Sequence, residues 1–335
     1  MLEILILLIC VINIPIILIF NKLTKFININ DKADNIRKFH KNDVPLFGGI
    51  LIFFNLIILI AVDQIVNLNI FLEIEARREF FSFCIGFLLF FLIGIYDDKY
   101  NLSANKKLFL NFFIILFIIL LDDSLVIKKL NFSFFDNPIY LKSFSHLFTV
   151  LCILLFLNAL NMFDGINLQA AFYCLIIFTI FLLKNTFYTL SIILIFILIL
   201  FLIYNFLNKS FLGDSGTQVL AFLISYILIK SHNATEIFTP EEIFVILSIP
   251  GIDMFRLFLF RVFKGKNPFS PDRSHIHHLI LEKFNKFQTF VIIQVLILFN
   301  IIIFYIFDNK LYTLLFTTFT YLALFFSFYK TRKKN

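Results

Sequence analysis

Charge is scarce in this sequence. Of 335 residues only 15% are Asp, Glu, Lys or Arg, while 60% are hydrophobic; ordinary globular domains are roughly 25% charged and about 45–50% apolar. A soluble fold could not hide that much apolar surface, whereas lipid accepts it. Cysteine is also sparse. Cys10, Cys84, Cys152 and Cys174 all fall inside apolar runs and none has CxxC spacing, which argues against a disulfide framework and leaves them as packing residues. Trp is absent and Phe occurs 51 times, an excess from which no function is read. No internal repeat or soluble domain is evident, so one transmembrane domain over 1–335 is expected. The net charge of +7 would suggest nucleic acid for a soluble protein. Here its distribution over loops matters more, and no nucleic-acid partner is expected.

What is abundant is long apolar runs. A spanning helix needs roughly 17–25 mostly apolar residues, and lipid leaves no unpaired backbone group without cost, so such runs must be helices. Candidates lie at about 2–20, 45–67, 79–96, 108–121, 144–163, 168–183, 187–207, 215–231, 241–260, 288–307 and 311–329. The expectation is an all-α polytopic membrane protein of about 10–11 spans. Thr239-Pro240-Glu241-Glu242 marks one helix start: an N-cap, Pro at the first helical position, then acids near the positive helix end. The first run lacks a basic start and a small-residue cleavage site and is expected to remain as a permanent helix. Lys and Arg concentrate in the loops around 22–41, 99–107, 209, 261–286 and 330–334. By the positive-inside rule those loops are cytoplasmic, the N-terminus lies outside and the C-terminus inside. The longest outside loop, about 122–143, alternates weakly at NFSFFD and is expected to form a short hairpin.

The polar clusters all fall in the loops assigned inside: DKADNIRKFHKNDVPLFGG (31–49), DDKYNLSANKKL (97–108), NALNMFDGIN (158–167), NKSFLGDSG (208–216) and GKNPFSPDRSHIHH (265–278). Five loops facing one compartment can share a site, which favours an active site at one face over a transport path with midplane charges. Asp97 and Asp98 end the third span, where the helix carries partial negative charge; a cation would relieve two acids there, or one raised pKa would make a general base. Asn158, Asn161 and Asp164 continue one helical face and offer hard oxygens to Mg²⁺ or phosphate, although Asp164-Gly165 also reads as a helix cap. In FLGDSG, Gly213 and Gly216 allow close backbone approach, and the next helix N-terminus attracts phosphate. Asp214 there suits a metal, and Phe211 suits either a base or the membrane. His275, His277 and His278 sit among Arg261, Lys264, Lys266 and Arg273. Zinc would need a further ligand with no Cys nearby, so an anion such as diphosphate is the simpler guest.

Taken together, RKFHKNDVPLFGG, GIYDDKYNLSANKKL, NALNMFDG, FLGDSG and SPDRSHIHH resemble the polyprenyl-phosphate N-acetylhexosamine-1-phosphate transferases (the MraY/WecA superfamily). NPFSPDRSHIHHL, with Asp253 and Arg256 upstream, is similar to the WecA-like branch. The resemblance implies transfer of an N-acetylhexosamine phosphate, GlcNAc-1-phosphate by branch, from a UDP-sugar to undecaprenyl phosphate with release of UMP. It implies a multi-pass protein of the bacterial inner membrane with a cytoplasmic-face site, Mg²⁺ as cofactor with Mn²⁺ as substitute, and a homodimer at family level. Carried over by position, Asp214 ligates Mg²⁺, with Asn161 and Asp164 on the same catalytic edge, and Phe211 stacks on uracil. Asp97 and Asp98 serve lipid-phosphate activation or metal binding. Asn158, Lys107, Arg37, Lys38, Asp253, Arg256, Arg273, His275, His277 and His278 bind substrate.

The chain departs from the family where many relatives read DGxDGL: it has Asp164-Gly165-Ile166-Asn167-Leu168-Gln169, with Asn167 in place of the second acid, and Asn111 stands where relatives often have Gln. Competing readings are a phospho-MurNAc-pentapeptide transferase of the same superfamily, a CDP-alcohol phosphotransferase, which expects DGxxAR where this chain has DGINLQ, and a transporter of lipid-linked sugar, for which Asp63 near a span end is a poor midplane charge.

Overall fold

The computed structural model describes residues 2–31, 43–68, 70–74, 76–265 and 274–332. Its helices are α1 (Leu2–Ile27), α2 (Gly48–Val66), α3 (Arg77–Tyr100), α4 (Ala104–Leu121), α5 (Ser145–Phe163), α6 (Gln169–Leu183), α7 (Tyr188–Phe206), α8 (Gly213–Thr235), α9 (Pro240–Phe263), α10 (Ile276–Leu281), α11 (Lys286–Ile306) and α12 (Lys310–Arg332). The protein is all-α, and each of the eleven apolar runs falls on a helix. Among the described residues nine helices are long and apolar enough to cross a membrane. The other two differ for physical reasons. α6 has 15 residues, about 22 Å of rise against a hydrocarbon core of about 30 Å. α8 has 23 residues and is almost wholly buried, but it includes Asp214, Gln218, Lys230 and His232.

The packing divides the chain into two compact units, Met1–Ser103 with Ala170–Ile227 and Ala104–Gln169 with Leu228–Asn335. In the first unit the Phe excess acquires a role. Phe53 stacks on Phe91 (ring centroids 3.6 Å apart) and on Phe87 (5.0 Å), while Phe83 meets Tyr226 and Phe90 meets Phe222, so the rings join α2, α3 and α8. Three glycines let these helices close up. A methyl on Gly49 would lie 2.3 Å from Gly216 N, and one on Gly94 would lie 2.3 Å from Ser215 Cα. α1 and α2 are held by a reciprocal amide pair, Asn13 Nδ2 to Asn55 Oδ1 (2.7 Å) and Asn55 Nδ2 to Asn13 Oδ1 (3.1 Å). Each amide also donates to a carbonyl of its own helix, Ile9 O or Leu51 O, which satisfies these donors in an apolar setting.

Polar loops gather at the ends of each unit. In the first, PLFGG (45–49) zips onto the loop before α8: Phe211 N donates to Pro45 O, Gly48 N to Phe211 O and Gly49 N to Leu212 O, at 2.9–3.0 Å. At its opposite end the buried Asp63 accepts from Ile70 N at 3.1 Å, so this acid fixes a loop.

In the second unit α5 packs on α9 and α4, and α9 also packs on α11 and α12. The expected hairpin forms from Lys129–Leu130 (β1 of this unit's sheet) and Ile139–Tyr140 (β2), but NFSFFD is the connection between the strands. Only two residues per strand pair, and Asn131–Asp136 turn the chain. Asn233 Nδ2 pins the base of this loop through Ser124 O and Val126 O. The predicted start of α9 is present, with the Thr239 hydroxyl accepting from Glu242 N and Pro240 in the first turn.

The glycine seam gives a direct test. Gly94→Ala should cost about 1–3 kcal/mol, the usual scale of overpacking, and lower the thermal midpoint of the detergent-solubilised protein. Gly251→Ala, where a methyl would meet nothing within 4 Å, should leave the midpoint unchanged or raise it.

Candidate active site

The adjacent acids at the end of α3 do not share one partner. Consecutive helical residues point about 100° apart, and the two carboxylates accordingly diverge. Asp97 is buried and its Oδ1 accepts from Leu102 N at 2.6 Å, closing the turn in which Asn101 adopts the left-handed conformation (φ 53°, ψ 76°). Asp98 reaches the N-terminus of α8. Its Oδ1 accepts from Asp214 N (2.6 Å), and its Oδ2 accepts from Ser215 N (3.1 Å) and Ser215 Oγ (2.6 Å). The positive helix end, expected from sequence to attract phosphate, thus holds the chain's own carboxylate. Gly213 makes this seat available: it is left-handed (φ 76°), and a methyl there would lie 2.8 Å from Asp98 Oδ2. Asp214 follows in the first turn of α8, and Phe211 is held by its backbone in the zipper with residues 45–48. The first unit therefore brings Asp98 and Asp214 together, with Phe211 in the loop that leads into α8.

The second unit assembles another cluster. Asp253 on α9 is buried and accepts four donors. Arg256 Nη2 (2.8 Å), Tyr321 Oη (2.7 Å) and Ile276 N (3.1 Å) reach Oδ1, and His275 Nδ1 (2.8 Å) reaches Oδ2. Arg256 also donates to Ser274 O (2.7 Å) and Tyr321 Oη (2.9 Å). His275 precedes α10 and lies parallel to His277 at 5.4 Å, and His277 lies 4.3 Å from His278. Burial, and then the neighbouring His278 and His275, hold His277 well below the ordinary imidazole range, so its ring is neutral at pH 7.

Gly165 touches this cluster, since a methyl there would sit 2.1 Å from His277 Nε2. The cap reading of Asp164-Gly165 holds for Asp164, and that contact gives Gly165 a second reason. Asp164 is the C-cap of α5 (φ −76°, ψ 54°) and Gly165 is not left-handed. Leu168 (φ 70°) takes that conformation, and Gly165 is required for room.

Of the remaining expected residues, Lys107, Asn158 and Asn161 lie on α4 and α5, which pack together. Lys107 is buried in the first turn of α4, with Asn111 one turn on. Asn158 returns an amide hydrogen to Leu154 O of its own helix (2.7 Å), and Asn161 lies one turn later on α5. Arg37, Lys38 and Arg273 lie outside the described residues. Sequence reasoning missed Ser215 and Tyr321. A Tyr in the middle of an apolar helix is itself a signal, because its buried hydroxyl needs a partner. For a metal, no group of three His, Cys, Asp or Glu side chains converges among the described residues. Mg²⁺ asks less of the protein, one or two carboxylates beside substrate phosphates, and Asp214 backed by Asp98 fits that donor set.

A model described as glycosyl transferase family 4 matches residues 80–232. The undecaprenyl-phosphate alpha-N-acetylglucosaminyl 1-phosphate transferase of Yersinia pestis is 31% identical over 283 residues, 80% of this chain and 73% of that protein. The chain belongs to glycosyl transferase family 4. The transferase of the same name from Escherichia coli (strain K12) is 28% identical over 286 residues, 81% of this chain and 74% of that protein. The family 4 segment includes Asp97, Asp98, Lys107, Asn158, Asn161, Asp164, Phe211 and Asp214, whereas Asp253, Arg256, the histidines and Tyr321 lie C-terminal to it.

Two measurements check these environments. Asp98→Asn sets an amide NH₂ against the N–H donors of α8 and should cost about 1.5–3 kcal/mol, the scale of a charge-assisted hydrogen bond; Ser215→Ala, losing one hydroxyl donor, should cost less. Thermal unfolding of both variants reads the difference. For His277 the depressed folded-state pKa means that the unfolded chain binds the proton more readily. Its contribution is present above the ordinary imidazole pKa and is lost as pH falls below it. The unfolding midpoint should drop between pH 7 and pH 5, and His277→Gln should flatten that slope.

Proposed function

We propose that this chain transfers GlcNAc-1-phosphate from UDP-GlcNAc to undecaprenyl phosphate, releasing UMP, at the cytoplasmic face of the bacterial inner membrane. The observation that carries the reading is Asp98 seated on the amino end of α8, presenting Asp214, within a chain similar over four-fifths of its length to proteins named for that transfer. A lipid-phosphate oxygen attacks the β-phosphorus of the donor, and the bond from that phosphorus to the bridging oxygen breaks as UMP leaves. Both reactants are anionic, so charge shielding and alignment matter more than covalent chemistry.

Each side chain has a role in this scheme. Asp214 holds Mg²⁺, which when bound neutralises charge on the diphosphate and on the departing UMP. Asp98, whose oxygens already receive three donors from α8, fixes Asp214 in place. Asp97 takes the proton of the lipid phosphate. Asn161 and Asp164 line the metal edge, and Phe211 packs on the uracil. Lys107 and the histidine segment bind the phosphates or the sugar, with Arg37, Lys38 and Arg273 as further cations. Asp253 and Arg256 hold the histidine segment through Ser274, His275, Ile276 and Tyr321 and with it form the substrate-binding set.

Purified protein supplied with UDP-GlcNAc, undecaprenyl phosphate and Mg²⁺ should yield UMP and a lipid product in equal amounts. EDTA should stop the reaction and added Mg²⁺ restore it. Asp97→Asn and Asp214→Asn should each lower turnover about a hundredfold or more while still inserting in the membrane, and near-normal UMP release from either sinks its assigned role. UDP-GalNAc and UDP-MurNAc-pentapeptide in parallel reactions identify the sugar, and sugar movement without UMP would point to a transporter.

A further inference from the structure

We propose that Tyr321 on α12 is a positioning residue: with Arg256 it orients Asp253 so that Asp253 fixes His275 as its Nδ1–H tautomer, leaving Nε2 as an acceptor for a hydroxyl of the donor sugar. The last clause rests on the function proposed above; the tautomer does not.

Tyr321 is fully buried in an apolar helix, where an unused hydroxyl is costly. The direction of its hydrogen bonds follows from chemistry. Arg has only donors, so Arg256 Nε gives its hydrogen to Tyr321 Oη (2.9 Å), and the phenol's single hydrogen goes to Asp253 Oδ1 (2.7 Å). Arg256 Nη2 and Ile276 N complete the set on Oδ1. With three donors on Oδ1, the carboxylate cannot rotate without breaking them, and Oδ2 is the oxygen left for His275 Nδ1 at 2.8 Å. A carboxylate with four donors is an acceptor only, so the nitrogen facing it bears the hydrogen and Nε2 is the acceptor of the neutral ring. Phe325, one turn beyond Tyr321, completes the clamp with its ring 4.2 Å from the Arg256 guanidinium. A helix beyond the matched family segment thus reaches the histidines through two side chains on one face.

The test is the tautomer, read by ¹⁵N NMR of histidine-labelled protein in lipid nanodiscs, with the His275 signal assigned by its loss in His275→Ala. In its neutral form the wild-type His275 should show a protonated Nδ1 and an unprotonated Nε2, and Tyr321→Phe should show a mixture. The same substitution should raise KM for UDP-GlcNAc about tenfold, the scale of one charge-assisted hydrogen bond, with kcat within about threefold and a folded protein whose thermal midpoint is lowered, since the buried Asp253 loses one donor. Should Tyr321→Phe fail to accumulate, Arg256→Lys, which keeps the cation but cannot hold Tyr321 and Asp253 together, should give the same mixture. An unchanged tautomer and KM in a folded variant overturns the proposal. So does a loss of activity that tracks thermal stability with the tautomer retained, since the role is then structural. An inactive wild type with the expected tautomer removes the donor reading and leaves the positioning role standing.

Discussion

Asp98 sits where the amino end of α8 needs an anion, and much of the first unit follows from that contact. The helix begins with unsatisfied N–H groups, and the carboxylate takes two of them together with the Ser215 hydroxyl. That arrangement requires α3 and α8 to lie close, which Gly94 permits, and a left-handed residue at the entry to α8, which Gly213 supplies. It also requires the preceding loop to arrive in register, which the pairing with residues 45–49 enforces. Asp214 comes next in the chain, so its position is a consequence of all three.

The second unit repeats the same economy with different parts. Asp253 commits both oxygens to the protein, and the residue it holds, His275, is presented outward from it. In each unit an aspartate is spent on architecture, Asp98 on the start of α8 and the buried Asp253 on the histidine segment. Such fully partnered acids rigidify their surroundings, and a site that handles phosphate groups benefits from donors and acceptors that need not reorganise as charge moves.

The sequence made the spans legible because lipid demands long apolar runs and tolerates few exceptions, and the start of α9 was legible because Thr-Pro-Glu-Glu is local capping chemistry. The candidate site was legible as five polar segments in an apolar chain. Partnership was harder to read. Asp97 and Asp98 read as a repelling pair relieved by a cation or by one raised pKa, and helical geometry sends them to different neighbours. Gly165 read as turn chemistry because Asp-Gly commonly is, whereas the His277 ring that demands its missing side chain lies more than a hundred residues along the chain. Tyr321 gave only a weak signal, one phenol in a helix rich in Phe, and its meaning depends on Asp253 and Arg256. Contacts of that separation leave no periodicity for a sequence to display.

The amide pair between α1 and α2 bears on how the protein is made. Asn13 finds its partner only when Asn55, 42 positions later, is in place. During synthesis α1 therefore enters the bilayer with a polar side chain whose mate is still on the ribosome or in the exit tunnel. An amide in hydrocarbon is driven to find a hydrogen bond; before α2 arrives Asn13 has the carbonyl of Ile9 in its own helix, and the arrival of Asn55 adds a reason for the two helices to pair.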